Sequence, residues 1–362
     1  MTDSGTIKPG TIQPGTIHLG TVPVGPEHPP VIIAEVSGNH DGSLAKALDI
    51  VRAVADSGAQ MVKLQTYTAD TITIDADTPH FRISDGHELW GGRRLYELYQ
   101  QASTPWEWHE PIFTLARELG LTPFSSPFDP TAIDLLEKLD APAYKVASSE
   151  LVDLPLITLM AETGKPMIIS TGMASLGEID AAVRAARATG NENIIVLGCT
   201  ASYPAPPEES NLRQLPMIAG AFGVQVGLSD HTLGIGAAVA AVAIGATIIE
   251  KHVTISRADG GVDSAFSLEP HELTMLRSET ETAWRAMGKA TVGPTEHERE
   301  GLRFRRSLFV IEDVRAGEAI TEANVRSIRP AGGLAPAMLP TVLGRTFRSD
   351  VPRGTPLTWD LI

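Results

Sequence analysis

The sequence predicts an α/β protein: a (β/α)8 TIM barrel followed by a smaller C-terminal domain. Two observations carry this. Eight apolar runs of strand length alternate with helix-length amphipathic segments between residues 31 and 287, and the runs are nearly continuous in hydrophobicity, as parallel strands buried on both faces are. From residue 305 onward the pattern changes to short strands, turns and prolines, marking a second domain with too little core to stand comfortably alone. An open doubly wound sheet is the competing architecture, and the regular eightfold alternation favours the closed barrel.

Taken in order, residues 1–21 form a lead-in. From Gly5 to Val24 a five-residue unit recurs, G-T-I-K-P, G-T-I-Q-P, G-T-I-H-L, G-T-V-P-V, and glycine and proline at this density predict an extended, disordered tail. The barrel domain is expected over 22–290. Its strands open at Val31, Met61, Leu121, Ala143, Pro166, Asn193, Val224 and Thr247. Helical patterns lie near Leu44–Ser57, Trp106–Leu119, Thr131–Leu139, Leu154–Glu162, Leu176–Ala188, Glu209–Ala219, Ile235–Ile244 and Glu272–Met287. The connection from Thr68 to Thr104, carrying H-E-L-W-G-G-R-R-L-Y-E-L-Y, is long enough to be a lid or specificity loop; Tyr96 and Tyr99 equally suit the buried side of a short helix. A polar linker, 291–304, precedes the small domain at 305–362.

Composition narrows the function classes. With 362 residues, 43% of them hydrophobic, the chain can bury a large core. A formal charge of −15 excludes a basic stripe for nucleic acid. The longest apolar run, Ala237 to Ile249, is broken by glycine and too short to span a bilayer, and no signal-peptide pattern opens the chain. One cysteine, Cys199, fits a reducing cytoplasm; at its strand end it reads as a buried structural thiol or a nucleophile.

In a (β/α)8 barrel the reactive groups sit at the carboxyl ends of the strands. Those ends supply Glu35 and Asn39, Lys63 and Gln65, Ser125 and Ser126, Lys145 and Ser148, Ser170 and Thr171, Thr200 and Tyr203, Ser229 and His231, and Glu250 and His252. A lysine inside a strand is costly to bury unless an anion meets it. Lys63 and Lys145 therefore mark either a phosphate or carboxylate site or salt bridges to Glu35, Glu150 or Glu250, and a Schiff-base role for Lys145, as in class I aldolases, is open. The stretch Gly227 to Thr254 reads strand, helix, strand, one right-handed crossover that sets its two strand ends side by side. His231 and His252 can therefore meet beside Ser229, Asp230 and Glu250 as half of a divalent-metal shell. Spacing alone leaves two strand-capping histidines equally open.

The runs A-E-V-S-G-N-H at Ala34, V-K-L-Q-T-Y at Val62, S-S-P-F at Ser125, Y-K-V-A-S-S-E at Tyr144, S-T-G-M at Ser170, C-T-A-S-Y-P at Cys199, L-S-D-H at Leu228 and E-K-H at Glu250 resemble the sialic acid synthases, which condense phosphoenolpyruvate with an aminosugar. R-S-L-F-V to S-I-R-P-A-G-G-L resembles their antifreeze-like (SAF, β-clip) domain, and the likeness spans residues 22 to 362. L-W-G-G-R-R-L-Y-E-L-Y-Q-Q-A-S-T-P-W-E-W-H at Leu89 is similar to the pseudaminic acid synthase branch, with the N-acetylneuraminate and legionaminate synthases as alternatives. The resemblance implies that His231 and His252 bind Mn²⁺ or Mg²⁺, with Asp263 reaching the ion through water. It implies a phosphoenolpyruvate pocket of Lys63, Lys145, Ser126, Ser148, Ser170 and Ser229, with Glu35 as acid/base. Gln65, Phe128, Glu150 and Tyr203 are implied near the acetamido sugar, and Arg329 in the sugar site of the other subunit of a domain-swapped homodimer. Ala201 stands where N-acetylneuraminate synthases carry a sugar-contacting Asn, which suits a 6-deoxy diacetamido sugar. A class I aldolase and a non-catalytic carbohydrate-binding protein are the readings from other classes.

Overall fold

The computed structural model describes residues 15–86 and 89–362. The chain divides into two compact units, Met1–Gly288 and Lys289–Ile362.

In the first unit eight parallel strands close into a barrel: β3 (Val31–Glu35), β4 (Met61–Thr66), β5 (Thr122–Pro127), β6 (Tyr144–Val146), β7 (Met167–Ser170), β8 (Ile194–Cys199), β9 (Gln225–Ser229) and β10 (Ile248–His252), with β10 pairing back onto β3. Side chains alternate across each strand, and both faces are buried. Ile32, Ala34, Val62, Leu64, Val146, Ile169, Val196, Leu228 and Ile249 face outward and pack against the helices. Val31, Ile33, Met61, Phe124, Ala143, Ile168, Ile195, Leu197 and Ile248 fill the lower interior. This double burial is why the strands read as unbroken apolar runs. Strands β9 and β10 approach so closely that a Cβ on Gly227 would lie 2.4 Å from the Ile248 carbonyl oxygen and 2.7 Å from Leu197 Cδ2.

Helix starts follow local chemistry. The Ser43 hydroxyl accepts from the Lys46 N–H to begin Leu44–Asp56, and Ser175 and Glu178 form a capping box at the head of Leu176–Ala188. The helix expected over Glu209–Ala219 runs instead over Gln214–Phe222, because Pro206 and Pro207 set up a 3-10 turn at Pro207–Glu209 and Asn211 adopts a left-handed backbone.

The lead-in also departs from expectation. Residues 1–14 lie outside the described residues, but from Ile17 the repeat is ordered: β1 (Ile17–Leu19) and β2 (Val22–Val24) form an antiparallel hairpin. Gly20 makes the turn at φ +62°. Ile17, Leu19 and Val24 are buried against the lower interior layer, so the hairpin stops the amino-terminal end of the barrel. Gln225 donates to the Gly15 carbonyl and the Trp284 indole to that of Pro26.

The long connection holds two short helices, Ala69–Ile72 and Leu95–Ala102, while His87 and Glu88 within it lie outside the described residues. Tyr99 packs edge-on against Tyr67, and the Tyr96 hydroxyl donates to Asp70. Among the described residues no helix is long and apolar enough to cross a membrane.

In the second unit β11 (Ser307–Val310) pairs antiparallel with β12 (Val325–Ile328) over a small core that includes Leu308, Val310, Ile320, Phe347 and Leu357.

Candidate active site

The alternation that buries Ile33 at the closed end sets Glu35 on the same inner face one step higher. The same step places Lys63 above Met61, Ser126 above Phe124, Lys145 above Ala143, Ser170 above Ile168, and Glu250 and His252 above Ile248. Register brings them into neighbouring pairs: Glu35 lies beside Lys63 and His252, Gln65 beside Ser126, and Ser229 beside Glu250.

The result is a buried charge cluster. Lys63 Nζ forms an ion pair with Glu35, lies 3.8 Å from Glu250 Oε1 and donates to Ser126 Oγ at 3.3 Å. Lys145 Nζ donates to Ser170 Oγ at 2.6 Å and lies 3.9 Å from Glu250 Oε1. Both lysines thus have carboxylate partners, as the salt-bridge alternative required. Ser229 Oγ donates to Glu250 at 3.1 Å. Burial and the neighbouring Glu250 outweigh Lys63 and push the Glu35 carboxyl above the ordinary carboxylate range. Burial acts on Glu250 in the same sense, but Lys145 and Lys63 together hold it below. Burial lowers Lys145. With Glu35 protonated, the ammonium groups of Lys63 and Lys145 face the single carboxylate of Glu250, and the positive surplus suits an anion.

The two imidazoles meet. Their ring centroids are 5.3 Å apart, with Tyr203 4.4 Å from His231 and Phe266 5.0 Å from His252. His231 Nδ1 donates to the Thr200 carbonyl at 2.9 Å, which leaves Nε2 as the free lone pair. His252 is buried, Nδ1 has no hydrogen-bond partner, and burial together with His231 and Lys63 holds the ring well below the usual histidine pKa. Asp263 Oδ2 lies 3.8 Å from His252 Nδ1, too far for direct contact and close enough for a bridging water, and accepts from Ser37 Oγ. Burial lowers His231 but Cys199 and the Thr200 carbonyl outweigh it and hold that ring above the usual histidine range, so His252 is the ring kept neutral and His231 offers Nε2 to a divalent cation once its proton is displaced, as cation binding requires. Among the described residues no three His, Cys, Asp or Glu side chains form a metal cluster, so the fit is to a two-histidine set completed by water and substrate oxygens.

The other expected residues line the same rim. Phe128 and Tyr99 both pack on Tyr67, Ser148 Oγ accepts from the Gly172 N–H at 3.0 Å, and burial raises the Glu150 carboxyl to about 7. Arg329 belongs to the second unit, where it follows β12 and is exposed. Cys199 is buried, its Sγ 4.0 Å from His231 Nδ1.

Three residues not anticipated join the site, Trp90, Phe266 and Lys251, the last paired with the Asp230 expected beside the imidazoles. Trp90 packs 5.8 Å from Tyr203 and its indole N–H donates to the Val262 carbonyl, Phe266 walls both imidazoles, and Lys251 and Asp230 form a buried pair behind them. Trp90 stood inside L-W-G-G, a visible motif. Lys251 gave a signal only through its parity, opposite to that of Glu250 and His252.

A closed parallel barrel with paired lysines, carboxylates and imidazoles at the carboxyl ends of its strands defines a barrel enzyme acting on an anionic substrate. Residues 50–292 match the NeuB family model and residues 305–362 the SAF domain. The chain is 41% identical to a pseudaminic acid synthase of Helicobacter pylori, over 92% of this chain and 97% of that protein. It is 35% identical to an N,N'-diacetyllegionaminic acid synthase of Campylobacter jejuni, over 87% of this chain and 95% of that one. A crystal structure of an N-acetylneuraminic acid synthetase from Leptospira borgpetersenii superposes with a TM-score of 0.71 at 29% identity, covering 80% of this chain and 95% of that one. The chain belongs to the NeuB family and is a phosphoenolpyruvate-dependent nonulosonic acid synthase. That membership sets aside the aldolase and the non-catalytic readings.

Proposed function

We propose that the product is pseudaminic acid, formed from phosphoenolpyruvate, 2,4-diacetamido-2,4,6-trideoxy-altrose and water with release of phosphate. The observation that carries this reading is the higher identity to a pseudaminic acid synthase than to a legionaminic acid synthase at similar coverage. Ala201 supports it, since a methyl group there offers no hydrogen bond to the sugar.

Lys63 and Lys145, with Ser126, Ser148, Ser170 and Ser229, hold the phosphate and carboxylate of phosphoenolpyruvate and fix its C3 toward the sugar. Gln65, Phe128, Glu150 and Tyr203 position the open-chain sugar. His231 and His252 hold a divalent ion, Mn²⁺ or Mg²⁺, with Asp263 behind a water; when bound, that ion supplies Lewis-acid polarisation of the aldehyde oxygen. Carbon–carbon bond formation leaves positive charge at C2, where water adds. Glu35 takes the proton from that water, and the burial that raises its pKa makes its carboxylate a stronger base. Phosphate then leaves by carbon–oxygen cleavage. Arg329 serves the sugar site of a second copy in a domain-swapped homodimer, and mixing Arg329→Ala with His231→Ala protein under subunit exchange is expected to restore activity that neither has alone; no recovery rejects the swap.

The deciding experiment compares phosphate release with the 6-deoxy diacetamido sugar and with N-acetylmannosamine. A preference for the first is expected, and equal or reversed kcat/KM rejects the product assignment. Oxygen-18 from solvent is expected in the C2 hydroxyl; label found only in phosphate rejects the route. Chelation is expected to abolish turnover, and added metal is expected not to rescue His231→Ala.

A further inference from the structure

We infer that Lys251 and Asp230 are positioning residues: one buried ion pair, between the residues that directly precede His252 and His231, fixes the spacing of the two imidazoles. The inference rests on the metal-binding reading above.

It follows from strand parity. Glu250 and His252 point into the barrel, so Lys251 between them points out, and by the same rule Asp230 points out between Ser229 and His231. Both outward side chains are buried, each 1% exposed, and Lys251 Nζ lies 3.0 Å from Asp230 Oδ2. The ammonium also donates to the backbone carbonyl of Thr232. Asp230 Oδ1 in turn accepts from the Thr232 N–H at 2.9 Å, closing an Asx-type turn around His231. The residues on both sides of His231 are thus tied to one ammonium, and that ammonium belongs to the neighbour of His252. The sheet adds one bond at this level, from the Asp230 N–H to the Glu250 carbonyl at 2.9 Å. Beyond it the strand has ended, and His231 keeps two bonds of its own, from the Ala205 N–H to its carbonyl at 3.0 Å and from Nδ1 to the Thr200 carbonyl; neither ties it to the strand of His252, which the ion pair does.

A buried ion pair is weak support for stability, and its best-attested use is to select one arrangement among near-equal alternatives. Two apolar side chains would pack at this place but would not bind the Thr232 carbonyl or its N–H. The pair therefore acts on geometry, as outer-shell partners of histidine ligands do.

The test is Mn²⁺ binding to full-length, metal-stripped protein, followed by calorimetry and by the Mn²⁺ electron paramagnetic resonance signal. Lys251→Met leaves Asp230 charged and buried and can fail to fold, so the principal variant is Asp230→Asn/Lys251→Met, in which both charges go and the turn acceptor stays. A cooperative thermal transition establishes that it is folded. The expected result is Mn²⁺ affinity weakened on the order of 10–100-fold, the size typical of lost outer-shell partners, with kcat reduced at saturating Mn²⁺ and KM for phosphoenolpyruvate unchanged. Should the double variant not fold, Asp230→Asn alone is expected to weaken Mn²⁺ binding in the same direction. Folded variants that bind Mn²⁺ as tightly as wild type, while His231→Ala does not bind it, overturn this inference and leave the metal reading standing. Wild-type protein that binds no Mn²⁺, or His231→Ala that binds it normally, overturns both.

Discussion

Glu150→Gln is expected to make the protein more stable, and only above acidic pH. The carboxyl follows Ser148 on the rim of the barrel, where burial lifts its pKa from 4.5 to about 7 against the lowering effect of its own backbone N–H and of Lys145. Asp153 pushes in the same direction as burial, and Tyr99 faces the same carboxyl. The folded chain therefore holds this proton where the unfolded chain has released it. Between the two values the native state binds more protons, so the contribution of Glu150 to stability falls as pH rises from 4.5 to about 7. At 1.36 kcal/mol per pKa unit the loss is about 3 kcal/mol once both states are ionised. Glutamine keeps the shape and polarity without the charge. Urea unfolding of the two proteins is expected to coincide near pH 4.5 and to separate by about 3 kcal/mol at pH 8, with the variant the more stable. A difference that stays constant across that range, or one that favours wild type at pH 8, refutes the reasoning.

Leu19→Ala, at the closed end of the barrel, is expected to lower stability by about 2–5 kcal/mol in urea unfolding while KM for phosphoenolpyruvate stays unchanged; a raised KM would mean that the hairpin communicates with the mouth. Lys63→Met, which removes the ion-pair partner of buried Glu35, is expected to cost about 3–5 kcal/mol, and Lys63→Met/Glu35→Gln to recover most of it in the same assay. Equal losses in the single and double variants would show that the two groups are not energetically paired. Trp90→Ala is expected to raise KM for the sugar by up to about tenfold, matching the ~0.5–1.5 kcal/mol of one aromatic pair, with KM for phosphoenolpyruvate unmoved; the reverse split in steady-state kinetics would place Trp90 at the wrong substrate.

The barrel was legible because each strand is buried on both faces, and an unbroken run such as V-I-I-A in Val31–Ala34 has few other uses in a chain of this composition. The mouth was legible for a related reason. Glu35, Lys63 and Lys145 interrupt apolar runs, and a charge inside such a run must have a partner. Lys251 interrupts its run in the same way but faces the helices, and a list of strand ends does not separate inward from outward residues. The Ile17–Val24 hairpin was missed because glycine, threonine and proline dominate the repeat; the signal was the alternation Ile17 in, His18 out, Leu19 in, over strands only three residues long. The helix at Gln214–Phe222 was placed too early because its start was set directly after the prolines at 206 and 207, where the chain makes a 3-10 turn and passes through left-handed Asn211 first. Arg329 carries no local sign of a role, since a lone exposed arginine after a strand has no pattern of its own.

The plug at the amino-terminal end stoppers one end of the barrel. Ile17, Leu19 and Val24 join Phe124, Ile168 and Ile195 in one apolar layer, a layer that polar solutes cross only at high cost. With that end stoppered, the proposed reaction would take in and release its molecules at the opposite end, where Trp90 and Tyr203 stand. On the proposed assignment of the lysines, phosphate and the nine-carbon acid would stand between them and the next enolpyruvate molecule, and turnover would depend on the order in which they clear the way.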